Sequence, residues 1–117
     1  MADQLSYDVI ETGIGSATDD ATYSLVRYRA TGVYAAVSAD GASRSVDQKW
    51  ALARHLVLRR RQLGQARGGE TPITQEAAAQ QVGISVVTYR RYEQECSSPL
   101  PAYRALVNAW LMTGVEP

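Results

Sequence analysis

Arginine side chains are the groups in this 117-residue sequence whose chemistry is most specific. A guanidinium group presents five N–H donors in a planar fork, which matches phosphate oxygens and the edge of a guanine base. Arg90 and Arg91 are adjacent in a stretch of helical character, and Val86 and Val87 precede them by about one turn. Such a group is typical of a surface that binds nucleic acid, and equally of an ordinary solvated surface.

The charges are distributed unevenly, although the formal net charge of the chain is zero. Residues 1–43 contain six acidic and two basic side chains, whereas residues 44–117 contain ten basic and six acidic ones. A basic region attracts phosphates, and an acidic segment can engage a different partner. The second part of the chain is therefore the expected nucleic-acid-binding part.

Other chemistries find little support in the sequence. With a single cysteine, Cys96, and a single histidine, His55, no spacing typical of metal ligands exists, so neither a metal site nor a cofactor is expected. No nucleophile has a base at a recognisable spacing, which argues against an enzyme. Neither a membrane span nor a secretory signal is visible, so we expect a cytoplasmic protein without membrane contact.

Residues 1–44 are expected to form a small β-rich segment that serves dimerisation or a partner. Glycine, serine and aspartate dominate up to about residue 21, which indicates loops with at most a short strand over 7–11. Residues 22–30 and 33–39 are rich in Tyr, Val and Thr, and Thr31-Gly32 between them predicts an antiparallel hairpin. An exposed edge of this hairpin is a candidate surface for dimerisation.

Residues 45–117 are expected to form a helical domain. The pattern Ser45-x-x-Gln48 predicts a capping box and a first helix to about residue 66, whose apolar stripe passes through Arg60. Because a charged side chain on a buried face needs a partner, Arg60 is expected to form an ion pair. Further helices are predicted over 75–82, about 85–95, and from Pro101 to a stop at Gly114.

The most informative segment is residues 74–93, which read Thr-Gln-Glu-Ala-Ala-Ala-Gln-Gln-Val-Gly-Ile-Ser-Val-Val-Thr-Tyr-Arg-Arg-Tyr-Glu. This segment closely resembles the helix-turn-helix of the lambda-repressor/Cro-type family, also called XRE-like, and the resemblance extends less specifically over about 48–115. Ala79 leaves room for the next helix, and Gly83 permits the sharp turn. The chain departs from the family at Tyr89, in a longer linker before helix 2, and in its N-terminal segment.

The resemblance implies a fold and roles for particular residues. The fold is a mainly α, four-to-five-helix lambda-repressor-like domain preceded by a β-hairpin, and helix 85–95 is the recognition helix. The residues that the resemblance places against bases are Ser85, Val86, Val87, Arg90 and Arg91. Those placed against phosphates are Thr74, Gln75, Thr88 and, from the linker, Arg67. A structural ion pair is implied between Arg60 and Glu93. Whether Arg90 and Arg91 contact bases or phosphates stays open.

Two functions are consistent with these observations. The first is a sequence-specific transcription regulator, a repressor that binds double-stranded DNA as a homodimer at a two-fold operator. The second is an antitoxin or accessory interaction module, in which the acidic N-terminal segment binds a protein partner and DNA binding is secondary. The charge asymmetry is the reason to keep the second.

Overall fold

The computed structural model describes residues 6–15 and 22–112, and these form four strands followed by four helices. The strands are β1 (Tyr7–Gly15), β2 (Thr22–Tyr28), β3 (Tyr34–Ser38) and β4 (Ser43–Ser45). The helices are α1 (Gln48–Ala66), α2 (Gln75–Val82), α3 (Val86–Glu93) and α4 (Pro101–Met112). The chain divides into two compact units, Met1–Ala51 and Leu52–Pro117.

The predicted fold class is wrong. The strands form one four-stranded antiparallel sheet in the order β1-β2-β3-β4, so the protein is an α+β fold with the sheet first. A mainly α, five-helix lambda-repressor-like domain with only a hairpin in front does not describe it. The difference lies in β1 and β4, two strands that were expected to be mostly loop.

Strand β1 forms although it contains Gly13 and Gly15, which are typical of loops. It pairs with β2 from Tyr7 to Gly15, and the register shifts between Val9 and Glu11 and again between Glu11 and Ile14. Such bulges let the strand stay paired with β2 where the regular ladder is interrupted. The predicted short strand over 7–11 therefore covers only part of β1.

The predicted hairpin is confirmed as β2 and β3, which pair from Tyr23 with Ser38 to Arg27 with Tyr34. Gly32 lies in their connection with a φ of 72°, and its N–H donates to the Tyr28 carbonyl at 2.8 Å. However, β2 has β1 on one side and β3 on the other, so this hairpin offers no free edge along β2. The hypothesis of dimerisation through an exposed hairpin edge is wrong for this strand.

The first helix begins differently from the capping-box prediction. Ser45 lies in β4, and the Asp47 carboxylate accepts from the N–H groups of Lys49 at 2.9 Å and Trp50 at 3.3 Å. Asp47 is therefore the residue that caps α1. The Gln48 side chain instead binds the backbone of Tyr34, accepting from its N–H at 2.8 Å and donating to its carbonyl at 2.9 Å.

The unit Leu52–Pro117 has a hydrophobic core to which all four helices contribute. Its fully buried large side chains are Leu56, Tyr89, Val107 and Leu111. The rings of Tyr89 and Trp110 meet edge to face, with centroids 6.0 Å apart. The Trp110 indole N–H donates to the Gln81 side chain at 2.9 Å. This core fixes α3 against α2 and α4. The predicted stop of the last helix at Gly114 lies outside the described residues.

Candidate nucleic-acid interface

Helices α2 and α3 form a helix-turn-helix unit in which each boundary has a local cause. The Thr74 hydroxyl accepts from the Ala77 N–H at 3.0 Å and begins α2. Gly83 ends α2 with a φ of 95°, in the left-handed region that favours glycine. The Ser85 hydroxyl accepts from the Thr88 N–H at 3.1 Å and begins α3. The bounds predicted for α2 are confirmed, whereas α3 ends at Glu93 rather than near residue 95.

The two faces of α3 differ in exposure. Tyr89 and Tyr92 are buried, while Val87 is 61% exposed and Arg91 is also exposed. The resemblance places Val86 against bases, but in the structure Val86 is partly buried and packs against the hydrophobic core. The outward surface of α3 therefore centres on Val87 and Arg91.

Two of the predicted contact residues use their hydroxyl groups locally. The Ser85 hydroxyl lies 2.9 Å from that of Thr88, in addition to capping α3. Ser85 is exposed and Thr88 is half-buried. Both sit at the amino-terminal end of α3, where the helix dipole is positive. They are placed at the end of α3 that was expected to approach DNA.

Arg60 and Glu93 form the ion pair that the resemblance implies. The Arg60 guanidinium donates to both Glu93 oxygens, at 2.7 and 3.0 Å, and its third contact is the Ile73 carbonyl at 2.8 Å. Their side chains are only 15% and 6% exposed. The hydrogen bond that Arg60 donates to Glu93 raises the pKa of Arg60 above its usual value. This pair connects α1, the start of α2, and the end of α3.

The Gln75 side chain belongs to the same network. Its amide N–H donates to Glu93 at 2.9 Å, and its carbonyl oxygen accepts from the Arg90 Nε at 3.2 Å. The sequence suggested a phosphate contact from this side chain. In the structure the Gln75 amide instead links the buried ion pair to Arg90.

Arg90 has a second partner that sequence reasoning missed. Its Nη2 donates to the Glu76 carboxylate at 2.7 Å, with the two side chains 41% and 63% exposed. Glu76 lies in the first turn of α2, where a negative side chain also interacts favourably with the helix dipole. Acidic residues near a helix start have this ordinary explanation, so the sequence offered no signal for the contact with Arg90.

Arg67 and Thr74 lie beside a surface groove of about 490 Å³. Gly64, Gly69 and Ile73 are among the other residues that line it. The backbone of the linker is anchored here, because the Gly69 N–H donates to the Gly64 carbonyl at 3.0 Å and the Ile73 N–H to the Arg60 carbonyl at 3.1 Å. Arg67 is exposed and therefore lies at the surface near the start of α2.

Arg59 is a further buried cation that the sequence reasoning overlooked. It is 7% exposed, its Nε donates to the Trp110 carbonyl at 3.2 Å, and its guanidinium lies 6.0 Å from the centroid of the Trp110 ring. Burial lowers the pKa of Arg59. Arg59 lies three residues after Leu56 and six after Ala53, which are both buried, and that spacing was the available signal.

The stability contribution of Glu93 is expected to depend on pH. Burial raises the pKa of Glu93, but the hydrogen bonds from Arg60 and Gln75 outweigh burial and hold the pKa below its ordinary value of 4.5. A carboxyl group with a lowered folded-state pKa stabilises the protein above its unfolded-state pKa, and this contribution disappears as the pH falls through the folded-state value.

We therefore expect the stability difference between the wild type and Glu93→Gln to be constant near neutral pH and to shrink below about pH 4.5. Urea titrations of both proteins at a series of pH values measure this difference. A difference that grows on acidification would contradict the assigned direction of the pKa shift.

Among the described residues, no helix combines the length and apolar character needed to cross a membrane. No protein-family model matches the chain, and the searches of curated proteins and of solved structures also found no match.

Proposed function

We propose that this protein is a DNA-binding transcription regulator whose helix α3 enters the major groove. The observation that carries the proposal is the α2–turn–α3 unit, with both helices capped and joined through Gly83, and with Val87 and Arg91 on its exposed face. In helix-turn-helix proteins the second helix contacts base edges and the first crosses the phosphate backbone. The resemblance of residues 74–93 to the lambda-repressor/Cro-type family supports the same assignment.

In this proposal the side chains on α3 make different contacts with the DNA. The Arg91 guanidinium contacts a guanine edge, and the exposed Val87 side chain packs on a thymine methyl group. Ser85 and Thr88 add polar contacts at the amino-terminal end of the helix. Arg90 approaches the DNA from the side of α3 that faces α2, where Gln75 and Glu76 hold it.

Phosphate contacts come from the start of α2 and from the linker before it. The first N–H groups of α2 and the Thr74 hydroxyl lie where the helix dipole attracts an anion. Arg67 supplies a charge beside the same groove. We place Gln75 behind these groups, as the residue that orients Arg90, because its amide is already bonded to Glu93 and Arg90.

The regulator acts as a homodimer in this proposal, because a single helix-turn-helix contacts few bases and two-fold operators match two-fold proteins. Several large apolar side chains on and before α4 support an association surface. They are exposed by 39–67% and are Leu100, Tyr103, Leu106 and Met112. Large apolar side chains at such exposure favour a protein–protein contact.

The test is selection from random-sequence duplex DNA by the purified full-length protein at about physiological salt, followed by sequencing of the retained DNA. Enrichment of an inverted repeat supports a symmetric, sequence-specific regulator. Absence of any enriched sequence would overturn the proposal.

Arg91→Ala should weaken binding to the selected duplex by about 1–3 kcal/mol, because one guanidinium contact with a base is lost. Arg61→Ala is the matched control, since Arg61 is an exposed arginine on α1 and its removal changes the net charge equally. Fluorescence anisotropy with the selected duplex measures both variants. Equal losses for Arg91→Ala and Arg61→Ala would contradict a specific contact from Arg91.

A second candidate is an accessory or antitoxin-like module that binds a protein partner through the N-terminal unit. Tyr7, Val9 and Val33 are exposed by 37–54% in that unit, which favours a protein contact. Of the acidic groups invoked for it, Asp8 already pairs with Arg29 at 2.8 Å, and Asp3, Asp19 and Asp20 lie outside the described residues. This function would survive Arg91→Ala unchanged, which distinguishes it from the first.

A further inference from the structure

Arg90 is held in one orientation by two residues from the first turn of α2. Glu76 accepts from its Nη2 at 2.7 Å, and Gln75 accepts from its Nε at 3.2 Å. The Nη1 group takes part in neither contact. Arg90 therefore carries a charge that is already paired, together with donors that these two contacts leave unused.

The orientation of Gln75 is itself fixed from the interior. Its amide nitrogen donates to Glu93 at 2.9 Å, and this leaves the amide oxygen for Arg90. Glu93 is in turn bound to both arms of Arg60. Gln75, the neutral partner of Arg90, is thus held by a buried network, whereas Glu76, the charged partner, lies at the surface.

The ion pair between Glu76 and Arg90 is accessible enough to be exchanged. The two side chains are 63% and 41% exposed, and an ion pair at that exposure changes an equilibrium by about twofold to fivefold. A phosphate that binds Arg90 must either displace Glu76 or lie beside its carboxylate. Both cost free energy, because the first breaks the pair and the second brings two negative charges together.

From this geometry we propose that Glu76 limits the binding of random-sequence DNA by keeping the charge of Arg90 paired. The inference rests on the proposed function. Binding without sequence preference depends on the number of phosphates that the protein neutralises. With Glu76 in place Arg90 does not add to that number, while its Nη1 group can still donate to a base edge. Glu76 therefore raises the ratio of specific to non-specific affinity.

The experiment measures the affinity of the full-length protein for a random-sequence duplex at several salt concentrations. In Glu76→Gln the carboxylate charge is removed with little change in size, so Arg90 becomes available to phosphate. The affinity should increase about twofold to fivefold. The slope of log K against log salt should become steeper by about 0.9, which corresponds to one additional phosphate contact.

Two variants make the result specific to Arg90. Asp40→Asn removes the same charge from an exposed turn of the N-terminal unit, outside the proposed DNA interface, and should leave the slope unchanged. Glu76→Gln combined with Arg90→Ala should return the slope to that of the wild type, because the released cation is gone. On the selected duplex Glu76→Gln should gain less than on random DNA.

The proposal is overturned if Glu76→Gln leaves the slope unchanged, if Asp40→Asn steepens it equally, or if the double variant keeps the steeper slope. These results are distinct from failure of the proposed function, in which the wild type enriches no sequence in the selection. If the wild type enriches an operator and Glu76→Gln behaves like the wild type, the regulator function stands and only the role of Glu76 is lost.

Discussion

Replacing Arg60 by Met is expected to lower the free energy of unfolding by about 3–5 kcal/mol, because it leaves the Glu93 carboxylate buried without its cation. Methionine keeps much of the apolar stem, so packing changes little. The Glu93 side chain is 6% exposed, and the Ile73 carbonyl would lose the Arg60 Nη1 donor as well. Urea denaturation followed by far-ultraviolet circular dichroism measures the loss.

The double variant Arg60→Met with Glu93→Leu separates an unpaired charge from a general packing defect. Replacing both members of a buried ion pair by apolar side chains is often close to neutral. We therefore expect the double variant to recover a large part of the stability lost in Arg60→Met. This comparison remains informative if Arg60→Met fails to fold, since the double variant should still fold. A double variant less stable than Arg60→Met would contradict the assignment.

Gly64→Ala is the second change with a large expected effect. It should destabilise the protein, although alanine has a higher helix propensity than glycine. Gly64 lies near the end of α1, where alanine would ordinarily favour the helix by about 1 kcal/mol. A Cβ atom at this position would overlap the Thr71 carbonyl oxygen and lie 3.0 Å from the Pro72 Cα. Both are backbone atoms of the linker, so they cannot move aside as a flexible side chain would. We expect a net loss of about 1–3 kcal/mol.

The matched control for Gly64→Ala is Gln65→Ala. Gln65 is the next residue in α1 and is exposed, so its truncation meets no neighbouring backbone and should change stability by less than about 0.5 kcal/mol. Thermal and urea unfolding of both variants give the comparison. If Gly64→Ala were as stable as Gln65→Ala, the close approach of the linker to α1 would be wrong.

The helix-turn-helix could be predicted from the sequence because its signals are local. Thr74, Gly83 and Ser85 each determine a helix boundary through their own side chain or backbone freedom, and those boundaries are found where they were expected. The ion pair of Arg60 with Glu93 could also be predicted, since a charged residue on an apolar stripe requires a partner and the family resemblance indicated which one.

Strands β1 and β4 could not be predicted in the same way. Gly13 and Gly15 in β1 are typical of loops, and β4 consists of three exposed residues, Ser43–Ser45. Their structure depends on the neighbouring strand, which a local reading does not include. The start of α1 was misplaced for a related reason, because Ser45 pairs with Ala35 across the sheet and leaves the capping to Asp47.

The contacts of Arg90 could not be predicted from the sequence either. Its charge and its place on α3 were predicted, but Glu76 is 14 residues away on another helix. Whether their side chains meet depends on how α2 and α3 cross and on which rotamers they adopt. Gln75 was likewise assigned to phosphate, because nothing in the sequence indicated that its amide is bonded to Glu93 and Arg90.

The contact of Gln48 with Tyr34 has a consequence for the solution behaviour of the protein. Strand β3 extends one residue past its pairing with β4, and the backbone N–H and carbonyl of Tyr34 are both taken by the Gln48 amide. An unpaired stretch of strand backbone is a template on which a second chain can add and start aggregation. Here the amide of the Gln48 side chain occupies both backbone groups of Tyr34, as the peptide group of a neighbouring strand would. A second chain therefore cannot pair with β3 at this residue.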